Sequence, residues 1–488
     1  MQCRKTAQRR QGAMEHVTVA DLLKATGGVL LGGSADAPVE GHIRLDSRKA
    51  GAGDLFVALT GEHADGHNYI PQVVEAGAAA VLMSKKTGMP HEPGVSGTEA
   101  CGHTPQTALI LVHDTREALQ DIGRYLRRRL TLPLVGVTGS VGKTTTREII
   151  AAALSARYRT FKTAANLNSQ VGVPVTISEI SQADEIGVIE LGMSEPGEMT
   201  VIAQIAQIDM AVITNIGITH IEQLGSRENI YREKMAIQDG LKKNGILILN
   251  GDDDLLRNAR GKEGVRTVYY GTGEHCDYRA EEITLSGGRP EFTVVCEKGC
   301  RRIRLNALGR HNVMNALAAI AVCLESGMTL SEAAEGILSF RGFKNRLELL
   351  EGERFTILDD TYNASPASMK AALDVLMELP GSRHIAVLAD MKELGERERE
   401  SHFEVGCYAA GSGVDLVAVL GPACADLAAG IREHSQIPVT EFLDKAALTA
   451  WLDTTLCDGD CILFKGSNSI RLFEISARYL AMAGQGGR

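Results

Sequence analysis

The chain has 488 residues, of which 44% are hydrophobic and 23% charged, an ordinary balance for a globular protein. Its formal net charge of −10 argues against a general nucleic-acid partner, and no apolar run approaches the ~20 residues that span a bilayer. At ~150 residues per domain, this length suggests about three domains.

Residues 1–13 are basic at their start, lack the apolar stretch of a signal peptide, and precede a second methionine, Met14. They are expected to be a disordered leader or a misplaced start. Thr18 and Asp21 read as a capped helix start, and Gly27-Gly28 as its stop. Asp46-Ser47-Arg48 precedes an apolar strand, Leu55 to Leu59, and Asp65-Gly66-His67 follows it. These polar groups either hold a polar ligand or serve as turn residues. The stretch 87–107, rich in Gly, Pro, Thr and His, reads as a loop or linker. A helix is expected over 116–129. The first domain is therefore expected over 14–112, a small α/β unit.

A short apolar run, Leu134 to Val137, then leads through Thr138, Gly139, Ser140, Val141, Gly142, Lys143, Thr144 and Thr145 into a helical pattern with Ile149, Ile150, Ala153 and Leu154 on one face. Strand, glycine-rich loop and helix together suit a phosphate site. Backbone N–H groups converge there, and the helix N-terminus adds partial positive charge. Lys143 can reach the β- and γ-phosphates, and the Thr144 hydroxyl can ligate Mg²⁺. The usual first glycine of this pattern is replaced by Val137. A kinase, a switch GTPase and a ligase can all own such a loop.

Strands are expected at 134–138, 186–191, 210–215, 246–250 and 266–270, alternating with helices, which argues for a largely parallel sheet. In such sheets ligands sit at the carboxyl ends of strands. Glu190 closes one strand, and a carboxylate there can hold Mg²⁺ directly or through water. His220 lies just beyond another. Mg²⁺ prefers oxygen, so chemistry alone reads His220 as a satisfied loop histidine or a neighbour of the ion's ligands. Residues 271–305 look like an antiparallel appendage. A helix is expected from Asn312 to Leu324, and Thr329 with Glu332 forms a capping-box start. This central domain is expected over 113–341.

A second α/β alternation fills 342–488, with strands expected at 355–358, 384–388, 416–420 and 461–464, and with Ser365-Pro366 as N-cap and first helical position. The ten cysteines are scattered; Cys296/Cys300 and Cys457/Cys461 share a spacing, but no histidine cluster supports zinc, and reduced thiols are expected.

Several of these strings together resemble the Mur ligases, the ATP-dependent amino-acid ligases of peptidoglycan synthesis. Thr138 to Thr145 is similar to their nucleotide loop, which also lacks the first glycine. Glu190 to Met193 resembles their Mg²⁺-glutamate strand, and Asn215 to Gly225 the loop with their Mg²⁺ histidine, at His220. Lys234 aligns with a lysine that is carbamylated in several members; without the family it reads as an exposed helix lysine in a charge pair. Asn166 to Pro174, Asp359 to Pro366 and Ala389 to Glu396 favour the branch that adds a D-alanyl-D-alanine dipeptide, and Lys465 to Arg471 is similar to the family's C-terminal domain. The Asp-Asn-Pro-Arg string of the branch adding a diamino acid is absent. Ala389 and Asn468 depart from the commonest family residues.

The resemblance implies three α/β domains: a small UDP-sugar-binding domain, a central phosphate-loop domain and a Rossmann-like C-terminal domain that completes the site. It implies a cytoplasmic, monomeric enzyme using ATP and Mg²⁺ on a UDP-N-acetylmuramoyl-tripeptide and D-Ala-D-Ala through an acyl phosphate. Lys143 and the loop amides would hold phosphates. Thr144 and Glu190 would hold one Mg²⁺, and His220 with carbamylated Lys234 a second. Asn312 and Asn315 match positions near adenine; Arg346 and Asp360 match positions reaching ATP from the third domain. Ser47 and Arg48 would meet the muramoyl nucleotide, Asn166 would bind substrate, and Tyr362, Asn363 and Ser365 would border the dipeptide. The alternatives are another Mur-type ligase, a folylpolyglutamate synthase-like amide ligase, or a nucleotide-binding module without catalysis.

Overall fold

A computed structural model describes residues 14–61, 64–86, 107–164 and 166–483. The expected leader and nearly all of the 87–107 linker lie outside the described residues. Three sheets follow one another along the chain.

The first has five strands in the spatial order Val29–Gly32, Ala108–Leu111, Ala80–Met83, Leu55–Val57, Ile43–Arg44. Only the first pair is antiparallel. The helix Val19–Thr26 starts at the expected capping box and stops at Gly27, whose φ of 66° lies in the left-handed region. The helix Thr115–Arg129, capped by Asp114, joins this sheet to the next. Its Leu119, Ile122 and Leu126 share one apolar core with Val19 and Ile110 on one side and Ile177 and Ile205 on the other. Buried Arg127 ties the junction by donating to the carbonyls of Ala206 (2.7 Å) and Gln207 (2.9 Å).

The central sheet has nine strands. From the phosphate-loop side outward, Thr160–Lys162, Ile186–Glu190, Leu134–Thr138, Ile208–Ile213, Leu241–Asn250, Arg266–Gly271 and Tyr278–Ser286 run parallel. Arg289–Cys296 and Gly299–Arg304 then add the expected antiparallel appendage. Strands covered on both faces read as unbroken apolar runs, and Leu134–Thr138 is buried throughout. Gly136 packs closely within it: a Cβ there would meet the Ile208 side chain, with Cδ1 at 2.8 Å. Cys296 and Cys300 flank the last hairpin, with Cys296 opposite Gly299.

The third sheet orders Glu348–Glu351, Thr356–Asp360, Cys461–Lys465, His384–Ala389, Leu416–Leu420 and Val439–Phe442, parallel after the first pair. Separate apolar clusters cover its two faces. Ser365 caps the helix Pro366–Met377 as expected.

In the second and third sheets, exposure explains the following differences from expectation. Leu241–Asn250 begins five residues early because Lys242, Lys243 and Asn244 mask its start. Thr160–Lys162, Glu348–Glu351 and Val439–Phe442 are short sheet edges with weak apolar patterning.

Helices Glu398–Ser412 and Cys424–His434 cross where Gly406 faces Gly430; a Cβ on Gly406 would lie 2.1 Å from the Leu427 carbonyl oxygen. Gly406→Ala should therefore cost about 1–3 kcal/mol through overpacking. Urea unfolding should show a lowered midpoint, and an unchanged midpoint would mean the two helices are not in close contact there.

Candidate active site

The phosphate-loop strand lies between the strands ending at Glu190 and Ile213. Parallel register pairs Val137 with Glu190 and Thr138 with Ile213. The loop, Glu190 and the Thr214-Asn215 segment therefore emerge side by side. Gly139 has φ 149°, and a Cβ on it would lie 1.9 Å from Thr214 Oγ1. The loop is pinned from that neighbour: Ser140 N–H donates to the Asn215 carbonyl (3.0 Å), Val141 N–H to Asn215 Oδ1 (3.0 Å), and Thr214 Oγ1 to the Val141 carbonyl (2.6 Å). Sequence reading had no signal for this brace beyond its place after a strand.

The loop opens into a cavity of about 1080 Å³ between the central and third sheets. Ser140, Val141, Gly142, Lys143, Thr144 and Thr145 line its floor; Asn166, Glu190, His220, Asn312 and Asn315 line the central-domain wall. Arg346, Asp360, Tyr362, Asn363 and Ser365 face them from the third domain. Four proposed positions fall outside this lining: Gly139, Lys234, Ser47 and Arg48.

Lys143 Nζ donates to the carbonyls of Gly139 (2.7 Å) and Ser140 (3.3 Å). The surrounding protein pushes its ammonium below the usual lysine value; Glu190 and Glu393 pull the other way. Glu190, 4% exposed, is held at three points. Thr144 Oγ1 (2.9 Å) and Arg147 Nη1 (3.1 Å) donate to Oε2, and Asn168 Nδ2 (2.8 Å) donates to Oε1. Arg147 also pairs with Glu148 at 2.7 Å, and Glu148 with Lys162. A buried carboxylate is stable only when paired in this way. Asn168, Arg147 and Glu148 had no functional assignment from sequence.

Asn315 Oδ1 accepts from Thr146 Oγ1 (2.9 Å) and its Nδ2 donates to Asn312 Oδ1 (2.7 Å), which fixes both amides beside the loop helix. From the third domain, Arg346 Nη2 donates to Thr144 Oγ1 (3.1 Å), and its guanidinium lies 3.9 Å from the Tyr362 ring centroid. Asn345 and Leu347, either side of Arg346, both have positive φ, 59° and 48°. Such backbone is costly for a residue like leucine and persists only where its surroundings hold it. Asp360 accepts from Lys465 Nζ at 2.5 Å, and Lys465 also reaches the Asn363 carbonyl (3.0 Å). The Ser365 hydroxyl caps its own helix.

Lys234 is 1% exposed, contrary to a solvated helix lysine. Burial lowers its ammonium well below the ordinary value; the nearby Lys143 charge adds to this, and Glu233 opposes it.

Ser47 and Arg48 form a short turn in the first domain, where Arg48 holds Asp46 through two 2.8 Å bonds. That pairing brings the Asp46 carboxyl down to about 2. His67 is buried, with Nδ1 2.6 Å from Asp65 Oδ1 and Nε2 accepting from Ser84 N–H at 3.0 Å. Ser84 Oγ is also 3.3 Å from Nε2, but that nitrogen already accepts a proton donor, so the trio is turn chemistry. Buried Asp390, His402 and Cys424 also cluster. Met391 N–H donates to His402 Nε2 (3.0 Å), Nδ1 meets the Glu398 carbonyl (2.7 Å), and Lys392 pairs with Asp390 (2.9 Å), so its donors are engaged.

Three family models match in succession: "Mur ligase family, catalytic domain" over 41–126, "Mur ligase middle domain" over 137–323, and "Mur ligase, glutamate ligase domain" over 345–468. The chain is 38% identical to the UDP-N-acetylmuramoyl-tripeptide–D-alanyl-D-alanine ligase of Bacillus subtilis, covering 94% of this chain and 97% of the relative. The chain belongs to the Mur ligase family. The ligase of the same name from Escherichia coli is 34% identical, covering 95% and 98%. Among Mur ligase structures, MurF from Acinetobacter baumannii superposes with a TM-score of 0.85 at 30% identity, covering 95% of this chain and 98% of that one. MurF from Thermotoga maritima in complex with ADP gives 0.78 at 28% identity, covering 91% and 98%.

The depressed Lys234 value fixes a pH signature for the ligand-free protein. Between the folded value and the unfolded value of 10.5, the unfolded chain binds a proton that the folded chain does not, so stability rises with pH across that window. Lys234→Met should melt above wild type at pH 7 in carbon dioxide-free buffer, and the gap should narrow toward pH 10. A gap that does not change with pH would contradict the buried-amine assignment.

Proposed function

We propose that this chain is the ATP-dependent ligase that joins D-Ala-D-Ala to UDP-N-acetylmuramoyl-tripeptide, as a cytoplasmic monomer in peptidoglycan precursor synthesis. The observation that carries the reading is the convergence, in one cavity, of the phosphate loop and Glu190 with Arg346 and Asp360 of the third domain. High-coverage relatives bearing that activity in their names support it. No helix among the described residues is long and apolar enough to cross a membrane.

A carboxylate is a poor electrophile. In this reading a carboxylate oxygen of the tripeptide attacks the γ-phosphorus, ADP leaves, and an acyl phosphate forms. The dipeptide amine then attacks the acyl carbonyl, loses a proton, and phosphate departs. Lys143 and the loop amides hold the phosphates and offset charge on the γ-phosphoryl group. Asn312 and Asn315 border adenine. Arg346 and Asp360 reach ATP when the third domain is docked. Tyr362, Asn363 and Ser365 border the dipeptide; Asn166, Ser47 and Arg48 meet the muramoyl nucleotide. The division into 14–112, 113–341 and 342–488 follows these roles.

The donor set fits magnesium. Thr144 and Glu190 offer hard oxygen atoms 2.9 Å apart. Lys234, held toward its neutral form, is the amine that carbon dioxide can carbamylate, and the oxygen donors so formed would serve a second cation together with His220. Bound there, Mg²⁺ would lessen the repulsion between γ-phosphate and carboxylate.

Phosphate release should depend on D-Ala-D-Ala and fall to background with single amino acids as acceptor; equal rates with another acceptor would reassign the substrate. Lys143→Ala should lower turnover about 100- to 1000-fold with the fold intact, and near-normal turnover would remove its role. Arg48→Ala should raise KM for the muramoyl nucleotide more than for ATP. The reverse ranking would take Arg48 out of that subsite.

A further inference from the structure

Glu393 belongs to the third-domain loop that follows the strand His384–Ala389, and it lines the cavity. Its Oε2 lies 3.2 Å from His220 Nδ1, which is carried by the central domain. Both are non-glycine residues in left-handed backbone, φ 64° for Glu393 and 65° for His220. Each is thus held in a costly conformation where the two domains meet.

The loops around this pair fit closely. Ile218 packs against the third domain's apolar cluster. Gly395, at φ 53°, sits so near the central domain that a Cβ on it would lie 3.1 Å from Glu222 Cβ. Glu393 therefore approaches His220 only because the third domain is seated on the 218–222 segment.

A histidine that ligates a metal through one ring nitrogen usually donates the other N–H to a carboxylate, which sets its tautomer and ring orientation. Resting on the reading of His220 as a cation ligand, we propose that Glu393 is the positioning residue for His220: its carboxylate accepts the Nδ1 proton, leaves Nε2 as the nitrogen offered to the cation, and does so only when the third domain is docked. Affinity at the second cation site is thereby tied to domain closure. Arg346 makes the corresponding reach to the first site through Thr144.

The test uses the full chain with a non-hydrolysable ATP analogue, the muramoyl tripeptide and Mn²⁺ as a paramagnetic probe. Electron paramagnetic resonance titration counts the bound ions, and solution scattering reports closure. Glu393→Ala should weaken the second Mn²⁺ site by about 10- to 100-fold, leaving the first site and the compact scattering profile unchanged. Glu393→Gln keeps an acceptor for Nδ1–H and should recover most of that affinity. Unchanged binding in Glu393→Ala overturns the proposal. So does equal loss in Glu393→Gln, which would make Glu393 itself a ligand, and so does loss of the compact profile, which would make it a clasp between domains. His220→Ala separates the two readings: if it keeps both sites, the assignment of His220 fails whatever Glu393 does.

Discussion

The site depends on holding a carboxylate still inside a protein wall. Glu190 lies one strand away from the phosphate loop, in register with Val137, and the sheet carries its Oε2 to within 2.9 Å of the Thr144 hydroxyl. A lone buried carboxylate would take up a proton or move toward water. Arg147 and Asn168 hold Glu190 in place by direct hydrogen bonds, and Glu148 with Lys162 balances the charge behind Arg147. The same network leaves an oxygen-rich corner facing the phosphate loop, which is the chemistry a hard cation requires.

The second half of the machinery comes from another domain. Arg346 touches Thr144, and Glu393 touches His220. At both crossings the backbone is left-handed at residues other than glycine: Asn345 and Leu347 bracket Arg346, and His220 and Glu393 face one another. Backbone of this kind is costly in an isolated loop and is retained where packing over-determines it. The third domain therefore supplies side chains whose placement requires docking, a physical basis for making reaction contingent on closure. For an enzyme that forms an acyl phosphate, such contingency keeps water from the intermediate.

The elements nearest the chemistry were legible because their signals are local. The Thr18–Asp21 capping box, Ser365-Pro366, the Thr329–Glu332 box and the buried run at 134–138 all appear where the residues indicate. Edge strands such as Thr160–Lys162 and Val439–Phe442 were not legible, since half-exposed strands lack a continuous apolar pattern. Lys234 illustrates a different limit. Its neighbours in sequence, Glu233 and Arg232, suggest a solvated helix face, whereas packing leaves it 1% exposed.

By itself the sequence determined the α/β alternation, the phosphate loop and the family to which these strings belong, because glycine spacing, capping and apolar period act over a few residues. Only the tertiary structure decided which polar residues meet. Asp46, Asp65 and His67 turned out to be engaged in turns, while Asn168, Arg147, Lys465 and Glu393 gained places beside the site. Those pairings join residues up to 173 positions apart in the chain, as in Glu393 with His220, and depend on sheet register and domain docking, which no local pattern encodes.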